Sequence, residues 1–395
     1  MTAPASVLVV GASAAGLATV EALRRGGYRG DVTLLGAEAH VPYDRPPLSK
    51  QVLSGRWDAD RVRLRDSGML AGLGAEIVLA DPAVALDAGA KVVRTAAGRV
   101  LRAEAVVIAT GLSPRLFPEQ EGLSGAHVLR SLDDALALRA ELPAGTRLVV
   151  VGDGVLGSEI AATAHGRGVD VTLVGPQPAL MAAQLGPDVS VCLASLHTEH
   201  GVRLRPGTGV SGLTAVEGRV TGVRLDTGES LPADVVVVAI GASANTGWLA
   251  DSGLVMDDGL VCDSHCRAAD GIYSAGDVTR WHHDGLGTLV RWENRTNATE
   301  QGIAVARAIL GDVRPYRPVP SFWTDQFEAR IQVYGTPSAD AELSVVEGDM
   351  ADRRFVAVYR SGGAVTGVLG WNMPRQARLH RQRLVDAYAA FAPAP

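Results

Sequence analysis

"VVGASAAG" (residues 9–16) and "VVGDGVLG" (residues 150–157) are two versions of one phrase, and reading them decides the fold. Each closes a short apolar run, residues 7–10 in the first case and "RLVVV" (residues 147–151) in the second. Each then opens a stretch patterned for a helix. The first helical stretch passes Ala22 and Leu23 and stops at Gly26-Gly27; the second passes Ile160 and Ala164. A new apolar run follows in both, "DVTLLG" from Asp31 and "DVTLVG" from Asp170. The chain therefore carries an internal duplication of a strand–loop–helix–strand unit. Such units build parallel sheets with right-handed crossovers. The expected fold class is α/β, with two Rossmann-type dinucleotide-binding units. A glycine loop between strand and helix turns the chain tightly and aims backbone N–H groups at a pyrophosphate. One such loop alone is as consistent with a plain tight turn, but two in the same context point to nucleotide binding.

The loops depart from the ideal in opposite ways. In the first, Gly11 makes the turn and Gly16 packs helix on strand, but Ser13 replaces the middle glycine, with Ala14 and Ala15 following. Its small hydroxyl can donate to a phosphate. Glu38, at the end of the second strand, is spaced to accept from an adenosine ribose. The second loop is complete in Gly152, Gly154 and Gly157, with Val155 and Leu156 between the last two. Yet its second strand ends in Gly175, where an NAD site wants an acid and an NADP site a basic partner. No arginine follows in "GPQPALMAAQLG" (residues 175–186). Two different ligands are expected, one dinucleotide held permanently and one exchanging. Discrimination between NADH and NADPH is expected to be weak, with NADH modestly favoured.

The 395 residues suit two or three domains, and 47% hydrophobic with 20% charged residues describes a folded protein. A net charge of -6 argues against a nucleic-acid partner. Three cysteines are too few for a disulfide framework or an all-cysteine iron–sulfur site. No apolar run approaches a membrane span; "VVVVAIGA" (residues 235–242) has the length of a buried strand. The early "VLVV" has no basic segment before it and is interrupted by Gly11, so it reads as a strand, and a cytoplasmic enzyme is the default expectation. "AVVIATG" (residues 105–111) and "ADVVVVAIG" (residues 233–241) read as further buried strands ending in glycine turns. A helix is expected from about residue 299 to Leu310, stopped by Gly311. From residue 316 the pattern becomes antiparallel: "RIQVYG", "LSVVEG" and "RFVAVYRSGGAVTGVLGW", then a basic helix "PRQARLHRQRLV" (residues 374–385). This tail reads as a small α+β domain.

"PYDRPPLSK" (residues 42–50), with "VVIATG", "GIYSAGD" (residues 271–277) and "FWTDQ" (residues 322–326), strongly resembles the FAD-dependent ferredoxin reductases of bacterial oxygenase systems, of the putidaredoxin-reductase and biphenyl-dioxygenase-reductase type. The resemblance covers essentially the whole chain. It implies a glutathione-reductase-like fold. Residues 1–112 and 240–315 would form a discontinuous FAD-binding domain, 113–239 an NAD(P)H-binding domain and 316–395 a C-terminal interface domain. The implied FAD positions are the first loop, Glu38, Arg45, Lys50, Ala109, Thr110, Gly111, Gly276, Asp277, Glu293, Arg295 and Thr296. The implied NAD(P)H positions are the second loop, Glu159, Gly175, Ile240 and Gly241. The catalytic pair implied is Lys50 and Glu159. Hydride transfer leaves the flavin ring anionic, and Lys50, stiffened by Pro46-Pro47, can supply positive potential beside it. The resemblance assigns Asp277 to the ribityl hydroxyls. It also aims the positive end of a helix opening near Thr296 at the flavin pyrimidine edge. The family commonly has tryptophan where Arg295 stands, so no aromatic relay is expected there; Trp292 and Trp323 are expected to pack.

The disulfide-reductase relatives need a cysteine pair soon after the first unit, and that region holds none. Cys262 and Cys266 in "CDSHC" are expected to be buried free thiols rather than zinc ligands, Cys192 has no nearby partner, and His282 and His283 are expected on a polar loop. No metal is expected. Arg375, Arg378, Arg381 and Arg383 concentrate positive charge in an acidic chain. With no cluster of its own, the chain is expected to pass electrons to another protein; the resemblance implies a separate iron–sulfur ferredoxin, and such a face would speed docking of that acidic partner. The ferredoxin would feed a monooxygenase or ring-hydroxylating dioxygenase. The alternatives are an NAD(P)H oxidase or flavin subunit of another reductase, and a slow-turnover sensor that binds FAD and nucleotide.

Overall fold

In the computed structural model, which describes residues 3–338 and 340–390, the run before the first loop becomes the strand Ser6–Val10 near the centre of a six-stranded sheet. The order across the sheet is Arg267–Ala269, Ile272–Ser274, Ala105–Ile108, Ser6–Val10, Asp31–Leu35, Glu76–Val78. All pairings are parallel except that of the Arg267–Ala269 edge strand. The inner strands are continuous apolar runs because helices and loops cover both faces. Val10 lies opposite both Leu35 and Ile108, so three strands end at one edge, where the glycine loop leaves the sheet. Strands of this sheet come from two pieces of chain on either side of the second unit. That second unit is an all-parallel five-stranded sheet, ordered Arg203–Arg205, Asp170–Val174, Arg147–Val151, Val235–Val238, Ala126–His127.

Both turns require glycine for the same reason. Gly11 has φ +125°, and a Cβ there would stand 2.0 Å from the Ala109 carbonyl oxygen. Gly152 has φ +117°, and its Cβ would meet the Ala239 carbonyl oxygen at 2.2 Å. A side chain would push the loop off the neighbouring strand end. The helices Ala14–Arg25 and Val155–His165 follow. The helix Arg295–Ile309 lies across the first of these, with Gly302 close against the Ala15 carbonyl. It begins before residue 299 because Asn294 caps it, its side chain accepting from the Asn297 N–H at 2.7 Å.

The C-terminal sheet is antiparallel, ordered Ser321–Gln326, Ala329–Gly335, Ala364–Trp371, Arg354–Ser361, Glu342–Asp349. The expected single basic helix is instead two, Pro374–His380 and Gln382–Ala390. The chain turns at Arg381 so that Ala377 and Leu384 are both buried with Tyr334, Val356 and Val368. A single core joins Leu48, Val52 and Leu53 to Leu148 and Val150 of the second sheet and to Ile331, Phe355 and Trp371 of the C-terminal sheet. That shared core holds the Pro46-Pro47 segment against both other units.

His282 and His283 do not lie on a loop. They end the strand Thr279–His283, whose alternation buries Trp281 and His283 and exposes His282; His283 bonds the Pro318 carbonyl at 3.0 Å. Cys262 and Cys266 are free and buried, and burial pushes the Cys266 thiol up to about 12. Among the described residues, no group of three or more His, Cys, Asp or Glu side chains is placed to hold a metal. Among them, no helix is long and apolar enough to cross a membrane. Residues 1, 2, 339 and 391–395 of the expected domain bounds lie outside the described residues.

Candidate functional site

The helix Ala14–Arg25 starts with no side-chain cap, so its first N–H groups face the C-terminal edge of the sheet without an intrachain acceptor from Ser13. The sequence reading offers the Ser13 hydroxyl to a phosphate; in the structure its oxygen accepts from Arg45 Nη1, which leaves its own O–H to donate. Arg45 also bonds Glu38 Oε1 at 2.5 Å through Nη2 and lies 4.9 Å over the Tyr43 ring. The Tyr43 hydroxyl donates to Glu38 Oε2 and accepts from the Leu132 N–H at 3.0 Å. Burial pushes the Tyr43 phenol far up its range; Arg45 opposes that shift and Glu38 adds to it. Arg45 Nε is buried without a partner. A loop backbone pressed against Ala109, an uncapped helix start and an unsatisfied guanidinium N–H fit the pyrophosphate and ribose of a dinucleotide.

Beside this cradle, Asp277 pairs with Arg130 at 3.3 Å, and Arg130 reaches over Gly111. Thr110 and Asn245 exchange bonds of 2.9 Å, tying "ATG" to the strand Ala242–Ala244 and its continuation. Gln301 accepts from the Gly276 N–H at 2.8 Å and donates to Cys266 Sγ at 3.4 Å, which fixes the "AGD" turn. Arg130 and Asn245 carried no sequence signal, since each meets its partner across more than a hundred residues. Arg295 bonds Asp44 and Thr299, and Thr296 sits in the same first helical turn. Glu293 is exposed and held by Arg291 at 2.8 Å. Trp292 packs edge-on against buried Trp281, centroids 5.1 Å apart.

Lys50 sits on a single π-helical turn, Leu48–Val52, in which the Lys50 and Val52 N–H groups both reach the Pro47 carbonyl. Its Nζ lies 2.5 Å from Glu159 Oε2, with the two side chains 9% and 6% exposed. Ser49 donates to the same oxygen at 2.5 Å and Thr324 to Oε1 at 2.8 Å. Gln326 donates to Thr324 at 3.0 Å and bonds His197 at 2.7 Å. Burial pulls His197 down to about 4; the Gln326 bond opposes this, and His200 and His165 add to it. The structure brings together the two residues that the resemblance pairs, so Lys50 does not act as a bare positive charge. Glu159 offsets it, and the pair joins the first unit, the second loop's helix and the C-terminal sheet at one buried point. Ser49, Thr324, Gln326 and His197 were not singled out from sequence, although "FWTDQ" contains two of them.

In the second loop, Gly154 offers no side chain to cap the helix Val155–His165, and Gly157 packs on the Gly152 carbonyl. Val155 and Leu156 are half-buried in the first turn, while Ile240 and Gly241 follow Val238 at the same sheet edge. Gly175 faces Asp153, a residue the sequence reading passed over. At the C-terminus Arg375, Arg378 and Arg383 are exposed. Arg381 is not a free surface charge: it is half-buried and lies 5.8 Å over the Tyr334 ring.

Two cradles of this kind, in units joined through a buried lysine–carboxylate pair, are suited to two dinucleotides. The chain belongs to the pyridine nucleotide-disulphide oxidoreductase family, which it matches over residues 5–302, and residues 321–394 match the reductase C-terminal domain. It is 35% identical to rhodocoxin reductase of Rhodococcus erythropolis over 372 residues, covering 94% of this chain and 87% of that one. It is 34% identical to the ferredoxin–NAD(+) reductase subunit of the benzene 1,2-dioxygenase system of Pseudomonas putida, covering 98% and 94%. Its fold matches the reductase in the crystal structure of the covalent putidaredoxin reductase–putidaredoxin complex with TM-score 0.92 and 33% identity, over 98% and 94% of the two chains.

Proposed function

We propose that this chain is an FAD-dependent NAD(P)H:ferredoxin reductase. The observation that carries it is the Lys50–Glu159 pair, which brings the Leu48–Val52 turn of the first unit and the helix of the second to one buried point. When bound, FAD supplies hydride acceptance from the reduced nicotinamide and release of single electrons. The first loop, Arg45 and Glu38 would hold its pyrophosphate and adenosine ribose. Asp277, set by Arg130 and the Gly276 turn, would hold its ribityl chain. Arg295 and Thr296 would lie at its pyrimidine edge. Lys50 and Glu159 hold a positive and a negative group together at the meeting point, both largely buried. Gly152, Gly154 and Gly157 present the uncapped helix start to the exchanging coenzyme.

The acceptor is a separate iron–sulfur ferredoxin, because three cysteines cannot ligate an all-cysteine cluster in this chain and the similar reductases are named for such systems. Exposed Arg375 and Arg378 supply positive charge for an acidic carrier. The carrier would serve a monooxygenase or ring-hydroxylating dioxygenase. The proposed division is residues 1–112 with 240–315 for FAD, 113–239 for NAD(P)H and 316–395 for the interface, working in the cytoplasm, where free thiols persist. The test is NADH-driven reduction of purified ferredoxins by the FAD-loaded protein, with a small dye as the direct acceptor. Dye reduction without reduction of any two-iron ferredoxin would reject the ferredoxin assignment.

A further inference from the structure

Coenzyme choice is written into the second loop, and the inference below rests on reading that loop as the NAD(P)H site. The strand Asp170–Val174 leads to Gly175, the place from which a dinucleotide-binding unit ordinarily presents an acid to the adenosine ribose. Such an acid accepts from the ribose hydroxyls and repels a 2′-phosphate. Gly175 supplies nothing, but its space is filled from elsewhere. A Cβ at residue 175 would stand 2.2 Å from Asp153 Cγ and 2.4 Å from its Oδ2. The Asp153 carboxylate therefore lies where a side chain from 175 would begin. Asp153 is 4% exposed. Its Oδ2 accepts from the Gln177 backbone N–H at 2.8 Å and its Oδ1 from Gln177 Nε2 at 2.9 Å. Each oxygen keeps acceptor capacity beyond those bonds.

The other charges nearby are already paired. A cavity of about 460 Å³ opens beside Gly175, lined among others by Asp153, Pro178, Glu199 and Arg205. Glu199 is held by Arg353 at 2.5 Å. Arg205, whose carbonyl bonds the Gly175 N–H, turns its guanidinium to Glu229 at 3.3 Å. Asp153, by contrast, is held by neutral Gln177 alone among its side-chain hydrogen bonds to described residues. Among the charged residues named around the cavity, Asp153 is the one whose carboxylate has no oppositely charged hydrogen-bond partner among the described residues.

We propose that Asp153 is the specificity-determining residue for the coenzyme, delivering from the glycine loop the carboxylate that favours NADH and rejects the 2′-phosphate of NADPH. Gly175 is the residue that leaves it room. Coenzyme discrimination is then clear, not weak.

The test titrates NAD+ and NADP+ into the FAD-loaded protein by calorimetry, for wild type, Asp153→Asn and the double variant Asp153→Gly with Gly175→Asp. Wild type should bind NAD+ at least about tenfold more tightly than NADP+. Asp153→Asn keeps an acceptor for the Gln177 N–H and removes the charge. NADP+ affinity should rise about tenfold while NAD+ affinity falls by roughly threefold or less. The double variant returns an acid to the strand end and should restore the preference for NAD+. Equal wild-type affinities, or an unchanged NAD+/NADP+ ratio in Asp153→Asn, would overturn the proposal and leave the reductase reading standing. Binding of neither coenzyme by wild type would overturn the second-loop reading and the proposal together.

Discussion

Replacing Lys50 with methionine keeps the aliphatic stem and deletes the charge. It strands the Glu159 carboxylate, whose side chain is 6% exposed, with only the hydroxyls of Ser49 and Thr324 as remaining described hydrogen-bond donors. Removing one partner of a buried ion pair typically costs about 3–5 kcal/mol. Two retained bonds to a charged acceptor are each worth about 1.5–3 kcal/mol, which places this case near the lower end, at about 3 kcal/mol. That is a visible fraction of a domain stability of about 5–15 kcal/mol. Adding Glu159→Gln removes the stranded charge and should recover about 2 kcal/mol of the loss. The assay is urea unfolding followed by circular dichroism, with free FAD held at one concentration because a bound ligand raises apparent stability. Flavin midpoint potentials supply a second readout: Lys50→Met should lower the potential, Glu159→Gln should raise it, and the double variant should lie between them. A double variant as unstable as Lys50→Met, or single variants that move the potential in the same direction, would refute the offset-pair reading.

Arg45→Ala should weaken FAD binding by about tenfold or more, since the unsatisfied Nε and both Nη contacts go together, whereas Ser13→Ala should cost about threefold or less; equal FAD dissociation constants for wild type and Arg45→Ala would reject the cradle. Charge reversal at Arg375 and Arg378 should slow ferredoxin association and flatten its salt dependence while leaving dye reduction unchanged. Adding Arg381→Glu should also lower the melting temperature, because that guanidinium lies over Tyr334; loss of dye reduction with Arg375 and Arg378 alone would sink the docking role. His197 makes stability acid-sensitive. Its unfolded value is near 6.5 and its folded value about 4, so between these the unfolded chain binds more protons. Stability should be unaffected above 6.5 and fall by about 3 kcal/mol as pH drops to 4. His197→Gln should flatten that slope, and an unchanged slope would remove His197 from the account.

The two glycine loops, the flanking strands and their helices were legible because their signals are local: a glycine turn of positive φ at Gly11 and Gly152, each set between an apolar run of strand length and a helix-patterned stretch. The resemblance carried by "PYDRPPLSK" and "FWTDQ" named the residues Lys50 and Glu159. The resemblance also set these two side by side, but their other partners and the distances were decided only by tertiary structure. Lys50 meets Glu159 across 109 residues, Thr324 joins them across 165, and Arg130 reaches Asp277 across 147. Residue type and spacing say nothing of such distances. The histidine pair was misplaced because strand alternation decides which of the two is buried, turning His283 inward against Pro318 and His282 outward, and the basic helix was split by the need to bury Leu384. The gap at Gly175 shows the difference most plainly. Along the sequence it is a missing acid. In space it is the opening that Asp153 fills, because two strand-ending turns pack so closely that only one of them can carry a side chain.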